Sequence, residues 1–236
     1  MQSHAFGKAD EPYLTWINDD GTTQAALTFG QFYNDVAAYA SWLKMVKKVE
    51  KGDRLILSYL PGPDFIKVFM ACVFIGAIPV PVYPAINDKA YMDKFNHIIK
   101  TCSPKYILVD KDVFAYKVKS YIQSILGSKG PQWIVVKPYA LEFRIEPELI
   151  DEDDIALIQF TSGTTGLPKG AVLTHRNLLA QFKLIQDELK FHEEGVGLMW
   201  VPPYHDLGLM GSLLVNLMGG NHLYMMSPIS LMKNPA

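Results

Sequence analysis

The sequence is short of cysteine, of net charge and of long uninterrupted apolar runs, and each shortage excludes something. Cys72 and Cys102 are the only cysteines. They are too few and too far apart for a metal site. A disulfide between them is disfavoured, because the start of the chain, MQSHAFGKADEPYLTW, has no basic segment followed by an apolar core and so does not read as a signal peptide. A cytoplasmic protein is the expectation. Cys72, inside VFMACVFIGA, reads as a buried small hydrophobe. The formal net charge of -2 leaves no basic excess to attract nucleic acid or an anionic membrane, local patches aside. The most apolar stretch, FIKVFMACVFIGAIPVPVYP, is interrupted by Lys67 and closed by Pro79, Pro81 and Pro84. Its unbroken part is shorter than the ~20 residues a membrane span needs. A buried helix followed by a strand accounts for it, and no transmembrane segment is expected.

What is present suits a soluble protein with a substantial core. Of 236 residues, 49% are hydrophobic and 19% charged, which allows one large domain or two small ones. Thr28 is placed to cap a helix whose apolar positions Phe29, Phe32, Tyr33, Val36, Ala40 and Leu43 recur at helical spacing. A strand is expected over 53–60, broken by Pro-Gly-Pro. A helix is expected over 64–77, capped by Asp64 and ended near Gly76. The prolines then force 78–84 into an extended form. Further expectations are a helix over 89–102, a strand over 105–110, a helix over 113–127 and a strand over 132–136. The acidic stretch 144–154 reads as a connection. Strands over 155–160 and 171–175 and a helix over 177–191 follow. This alternation predicts an α/β fold of layered, largely parallel sheets flanked by helices. There is no internal repeat and no low-complexity tract.

The stretch IQFTSGTTGLPKGAVLTH, 158–175, concentrates three glycines, four threonines, a serine and a lysine between apolar runs. Glycines 163, 166 and 170 let backbone approach a ligand closely. Successive N–H groups in such a loop form an anion-binding nest. The hydroxyls of Thr161, Ser162, Thr164 and Thr165 add donors, and Lys169 adds a positive charge. The pattern is not a Walker A loop: Pro168 precedes the lysine, Gly170 follows it, and the loop joins two strands instead of a strand and a helix. A phosphate-wrapping loop and a plain Gly/Thr-rich hairpin turn both fit a bare loop of this composition.

The longer pattern FTSGTTGLPKGAVLTHRNLL resembles the phosphate-binding signature of the adenylate-forming (AMP-binding) superfamily. LTFGQFYNDVAAYASWL and KGDRLILSYLPGPDFIKVFMACVFIGAIPVPVYPA are similar to that family's earlier blocks in order and spacing. The likeness runs from about Leu27 to Ala236. YLPGPDFIKVFMACVFIGAIPVPVYPA and WVPPYHDLGLMGSLLVNLMGGNHLYMMSP are most similar to the fatty acyl-AMP ligase branch, with acyl-CoA synthetase as the alternative. The resemblance implies a partial adenylation domain over 1–236, with a first α/β subdomain over 1–150 and the start of a second over 151–236.

It also implies a reaction and its participants. A fatty-acid carboxylate would attack the α-phosphate of ATP, with Mg²⁺, to give acyl-AMP and pyrophosphate. The acyl group would pass to a phosphopantetheine thiol on an acyl carrier protein, or to CoA. Thr161, Ser162, Gly163, Thr164, Thr165, Gly166 and Lys169 would hold the phosphates, Lys169 also neutralising the departing pyrophosphate. His205, in PPYHDLG, would donate a hydrogen bond to an acyl oxygen. Asp206 is read as the cap of the helix that follows, with orientation of the imidazole as the alternative. Gly208 and Gly211 allow close helix packing or open an acyl tunnel. Met210, Met218, Met225 and Met226 either line an adaptable apolar pocket or fill core. No metal ligand is assigned. The family's adenine- and ribose-contacting motifs, its hinge and its mobile C-terminal subdomain have no counterpart in these residues. A fragment of a longer enzyme, inactive in isolation, is therefore expected, with a non-catalytic binding or regulatory module as the alternative.

Overall fold

The computed structural model describes residues 2–84, 89–115, 130–138, 145–161, 166–190 and 195–233. After a short helix α1 (Gln2–Gly7), the chain forms a hairpin of β1 (Pro12–Ile17) and β2 (Thr23–Thr28). Helix α2 (Phe29–Ser41) follows, begun by a capping box: Thr28 Oγ1 accepts from Gln31 N–H at 3.2 Å, and Gln31 Oε1 accepts from Thr28 N–H at 3.0 Å. It runs into a π-helical turn, Trp42–Val46. Then come β3 (Arg54–Ser58), α3 (Pro63–Phe74), β4 (Ile78–Val82), α4 (Lys89–Cys102), β5 (Tyr106–Val109), α5 (Lys111–Ala115) and β6 (Gln132–Val135). The second half carries β7 (Ile155–Thr161), β8 (Lys169–Thr174), α6 (His175–Leu189) and β9 (Val196–Met199). Helix α7 (Asp206–Gly208), a π-helical stretch (Leu209–Leu214) and α8 (Val215–Gly219) run on end to end. Strand β10 (His222–Met226) and α9 (Pro228–Lys233) close the described chain.

The described residues form three sheets. One is wholly parallel, in the order β4-β3-β5-β6. A second, β2-β1-β10-β9, is mixed and draws its strands from both ends of the sequence. The third is the antiparallel pair β7-β8. The parallel strands are buried on both faces, as their unbroken apolar runs require. On β3, Leu55 and Leu57 enter one core cluster and Ile56 the other, because successive side chains of a strand point to opposite faces. The larger cluster joins α2 and α3 to β1, β10 and the helical stretch around Leu209–Leu217. The smaller lies between the parallel sheet and α4.

The expected α/β class with a largely parallel sheet is what forms. Three details differ from the sequence reading. Helix α3 starts at Pro63, whose missing N–H and fixed φ suit the first helical position; the cap residue is Gly62, and Asp64 lies inside the first turn. The strands β1 and β2 were not foreseen. Two π-helical turns interrupt helices read as regular. Of the helix expected over 113–127, α5 holds 113–115, and 116–127 lies outside the described residues. Cys72 and Cys102 are both buried and free, and burial pushes both thiols up, Cys102 to about 11.

Candidate functional site

The loop in question joins two strands, as its sequence predicts. Thr161 ends β7 and Lys169 opens β8, and the two residues face each other as the last pair of the ladder. Both are exposed. Among the described residues no carboxylate pairs with the Lys169 amine. Gly166 stands in open space, and no atom lies within 4 Å of where its Cβ would be. Ser162, Gly163, Thr164 and Thr165 fall outside the described residues. The far end of the hairpin is anchored: Thr174 caps α6 through a box with Asn177, at 3.2 and 3.0 Å.

Strand β7 runs beside β4, so the ends of the two strands emerge together. A cavity of about 340 Å³ opens there, lined by Pro81, Tyr83, Tyr91, Lys94, Gln159, Thr161, Pro168 and Tyr204–Asp206 among others. Two motifs distant in sequence, the base of the Gly/Thr loop and the YHD turn, thus share one concave site. His205 and Thr161 are brought together on its wall. Lys169 does not line it but sits across the ladder from Thr161.

His205 is itself the cap of α7, with Asp206 the first helical residue. This corrects the reading of Asp206 as the cap. Asp206 Oδ1 lies 2.6 Å from His205 Nδ1 and 2.7 Å from the Leu207 N–H. The Leu207 N–H also donates to His205 Nδ1 at 3.3 Å, and this is the cap bond. The Asp206 carboxylate thus lies against the Nδ1 edge of the imidazole, the contact that the alternative role, orienting the ring, requires. Gly208 follows because nothing larger fits: a Cβ would come within 2.3 Å of the Pro202 carbonyl oxygen. A Cβ on Gly211 would meet only the Leu207 side chain, at 3.0 Å.

Aromatic rings frame the cavity. Tyr83 meets Tyr204 edge-on at 5.5 Å and Tyr91 edge-on at 5.1 Å, and the Tyr91 hydroxyl donates to the Tyr83 carbonyl at 2.6 Å. Burial, aided by neighbouring tyrosines, pushes Tyr91 up and Tyr204 up to about 12, so both rings stay neutral. Tyr83, Tyr91, Lys94 and Gln159 escape sequence reasoning. They come from three separate elements, and only the pairing of distant strands collects them.

Beside this cavity lies an open groove of about 740 Å³ between α6 and the helical run after His205, lined by Leu173, Leu178, Leu184, Ile185, Leu207 and Met210 with a few polar groups. Asp206 borders both spaces. Of the four methionines singled out in the sequence, Met210 lines the groove, Met218 lines a smaller apolar cavity with Phe69 and Phe182, and Met225 is core. Among the described residues, no group of three or more His, Cys, Asp or Glu side chains is placed to hold a metal ion. No helix among them is long and apolar enough to cross a membrane.

The AMP-binding enzyme family matches residues 1–236. This chain belongs to that family. It is 43% identical to the medium-chain-fatty-acid–(acyl-carrier-protein) ligase TtuA of Teredinibacter turnerae, over 98% of this chain and 42% of that protein. It is 30% identical to the corresponding ligase JamA of Moorena producens, over 85% of this chain and 35% of that protein. Its fold superposes on the fatty acyl-adenylate ligase of L. pneumophila, solved with acyl adenylate and pyrophosphate, with a TM-score of 0.84 and 29% identity, over 99% of this chain and 40% of that one. The chain therefore spans about two fifths of the length of these relatives.

Proposed function

We propose that the polypeptide carrying this chain activates a fatty acid with ATP. A carboxylate oxygen attacks the α-phosphorus, the bond from that phosphorus to the bridging oxygen breaks, and pyrophosphate leaves with the electron pair. The single observation behind this reading is the convergence of Thr161 and Pro168, at the loop base, with His205 and Asp206 on one cavity, which shares Asp206 with a neighbouring apolar groove. A polar site for charged groups beside an apolar trough for a chain is what a fatty acid and a nucleotide need together.

The residues divide the work. Thr161, Ser162, Gly163, Thr164, Thr165 and Gly166 cradle the β- and γ-phosphates through backbone N–H groups and hydroxyls. Lys169, unpaired among the described residues, neutralises the charge that builds on the departing pyrophosphate. His205, whose Nδ1 edge lies against Asp206, offers a ring N–H to the acyl oxygen. Leu207, Met210 and Leu184 line the path of the acyl chain. Mg²⁺ accompanies ATP in this reading and shields its phosphate charge. The acyl group then goes to the phosphopantetheine thiol of an acyl carrier protein, in keeping with the names of TtuA and JamA; CoA is the alternative acceptor. The reaction belongs in the cytoplasm, where ATP is held. Residues 1–150 contribute the parallel sheet and 151–236 the phosphate loop, which is the sense in which two subdomains are proposed.

The test is fatty-acid-dependent pyrophosphate release by the natural full-length polypeptide, with carrier protein and CoA offered separately as acceptors. Release with acid, ATP and Mg²⁺ supports the reading. ATP binding without release, across acids of increasing length, would leave a binding module instead.

A further inference from the structure

Gln159 carries an observation the reaction scheme does not use. It sits on β7, opposite Ala171, two residues before the phosphate loop. Its side chain is 8% exposed, and its Nε2–H donates to the Tyr204 carbonyl at 3.0 Å. Its Oε1 is buried without a partner among the described residues. Reversing the amide would press that oxygen against the Tyr204 carbonyl, so the orientation is fixed. A buried amide satisfied at one end contributes less to stability than an apolar side chain of the same shape. Local rules of this kind are broken where a site requires it. The bond spans the gap between the hairpin and the residue immediately before His205.

We propose that Gln159 is a positioning residue: through Tyr204 it holds the His205 turn in fixed register with the phosphate hairpin. The proposal rests on the functional reading above for its consequence in catalysis, but the positioning itself does not. Two motifs on separate elements act on neighbouring atoms of one reaction, and small misplacements between such groups are costly. Among the described residues the Gln159 amide links the two by a side-chain hydrogen bond, and it acts through the Tyr204 backbone carbonyl.

The experiment compares wild type, Gln159→Leu and Gln159→Glu in the natural full-length polypeptide. Amide hydrogen exchange over 201–208 is measured first, and should rise in both variants while exchange over 54–58 stays unchanged. Kinetics follow. The kcat for pyrophosphate release should fall by about ten- to a hundredfold, with the KM for ATP within about twofold of wild type. In Gln159→Glu the defect should shrink as pH falls, because a protonated carboxyl regains a donor for the Tyr204 carbonyl; Gln159→Leu should show no such recovery. Should Gln159→Leu not fold, the isosteric Gln159→Glu decides. Unchanged exchange over 201–208 in a folded variant overturns the proposal, whatever the kinetics. A wild type that releases no pyrophosphate defeats the functional reading alone, and the exchange measurement still decides this one.

Discussion

Strands β3 and β8 are nearly equal in length and lie at opposite ends of the burial scale. Four of the five residues of β3 are buried, and both its edges are paired, to β4 and β5. In β8 the first four residues are exposed, and its one ladder partner among the described residues is β7. The difference separates two uses of a strand. β3 buries every side chain after Arg54 and fixes the ends of its neighbours. β8 has little to bury and leaves Lys169 exposed, paired across the ladder with the cavity-lining Thr161. Functional side chains sit where the scaffold leaves them unburied, on a rim held by strands that do no chemistry.

Exchanging the roles of the two strands by mutation should therefore give opposite phenotypes. The largest effect is expected for Leu57→Ala, at a fully buried position on β3. It should cost about 2–5 kcal/mol of stability through lost burial and a residual cavity, read as a fall in the denaturation midpoint. Catalysis per folded molecule should persist. Lys169→Ala should do the reverse. Losing one charged contact should slow pyrophosphate release by about 1–3 kcal/mol of barrier, or roughly five- to 150-fold, while the exposed position leaves the midpoint within about 0.5 kcal/mol. Unchanged release in that variant would remove Lys169 from its role. Gly208→Ala tests the boundary between the two classes. Its Cβ would collide with a backbone carbonyl in the turn that carries His205. Both stability and activity should fall, stability by about 1–3 kcal/mol, and a variant that lost only one of them would show the turn to be less rigid than drawn.

The same contrast explains what could be read from the sequence. The segments 29–41, 54–58, 63–74 and 89–109 were legible because their apolar positions repeat at the period of the element they form. Thr28 and Gln31 announce their capping box in sequence. The β1–β2 hairpin was missed although Asp20-Gly21 marks its turn, with Gly21 at φ 81°. Its meaning lies in the parallel pairing of Leu14 with Leu223, a contact no local pattern encodes. The site divides likewise. Thr161, Lys169 and His205 stand inside motifs and were named beforehand. Tyr83, Lys94 and Gln159 have no local signature, and they acquire a role once β4, α4 and β7 are adjacent. The cap of α7 was misassigned by one residue because His and Asp both accept hydrogen bonds at helix starts, and only geometry separates them.

The smallest effect concerns the connection that leads into β7. Glu148 pairs with Lys44 at 2.6 Å, Asp154 with Lys51 at 2.6 Å, and Asp153 with Arg176 at 2.8 Å. In each, the hydrogen bond from the cationic partner holds the carboxyl below the ordinary range. A carboxyl depressed on folding binds its proton more tightly when unfolded. Its stabilising contribution is complete above the unfolded value of about 4 and is lost as pH falls through the lower folded value. Asp153 is exposed and Glu148 and Asp154 are half-buried, all open enough to solvent for the pairs to be weak and screened by salt. Hydrogen exchange over 145–154 should therefore be flat between pH 8 and 6, corrected for the intrinsic rate. Protease cleavage there should rise below about pH 4, earlier in high salt, before the β3 core opens. Simultaneous opening of the connection and β3 would show that the ion pairs add nothing of their own, and that the hairpin is held to the parallel sheet by its buried face alone.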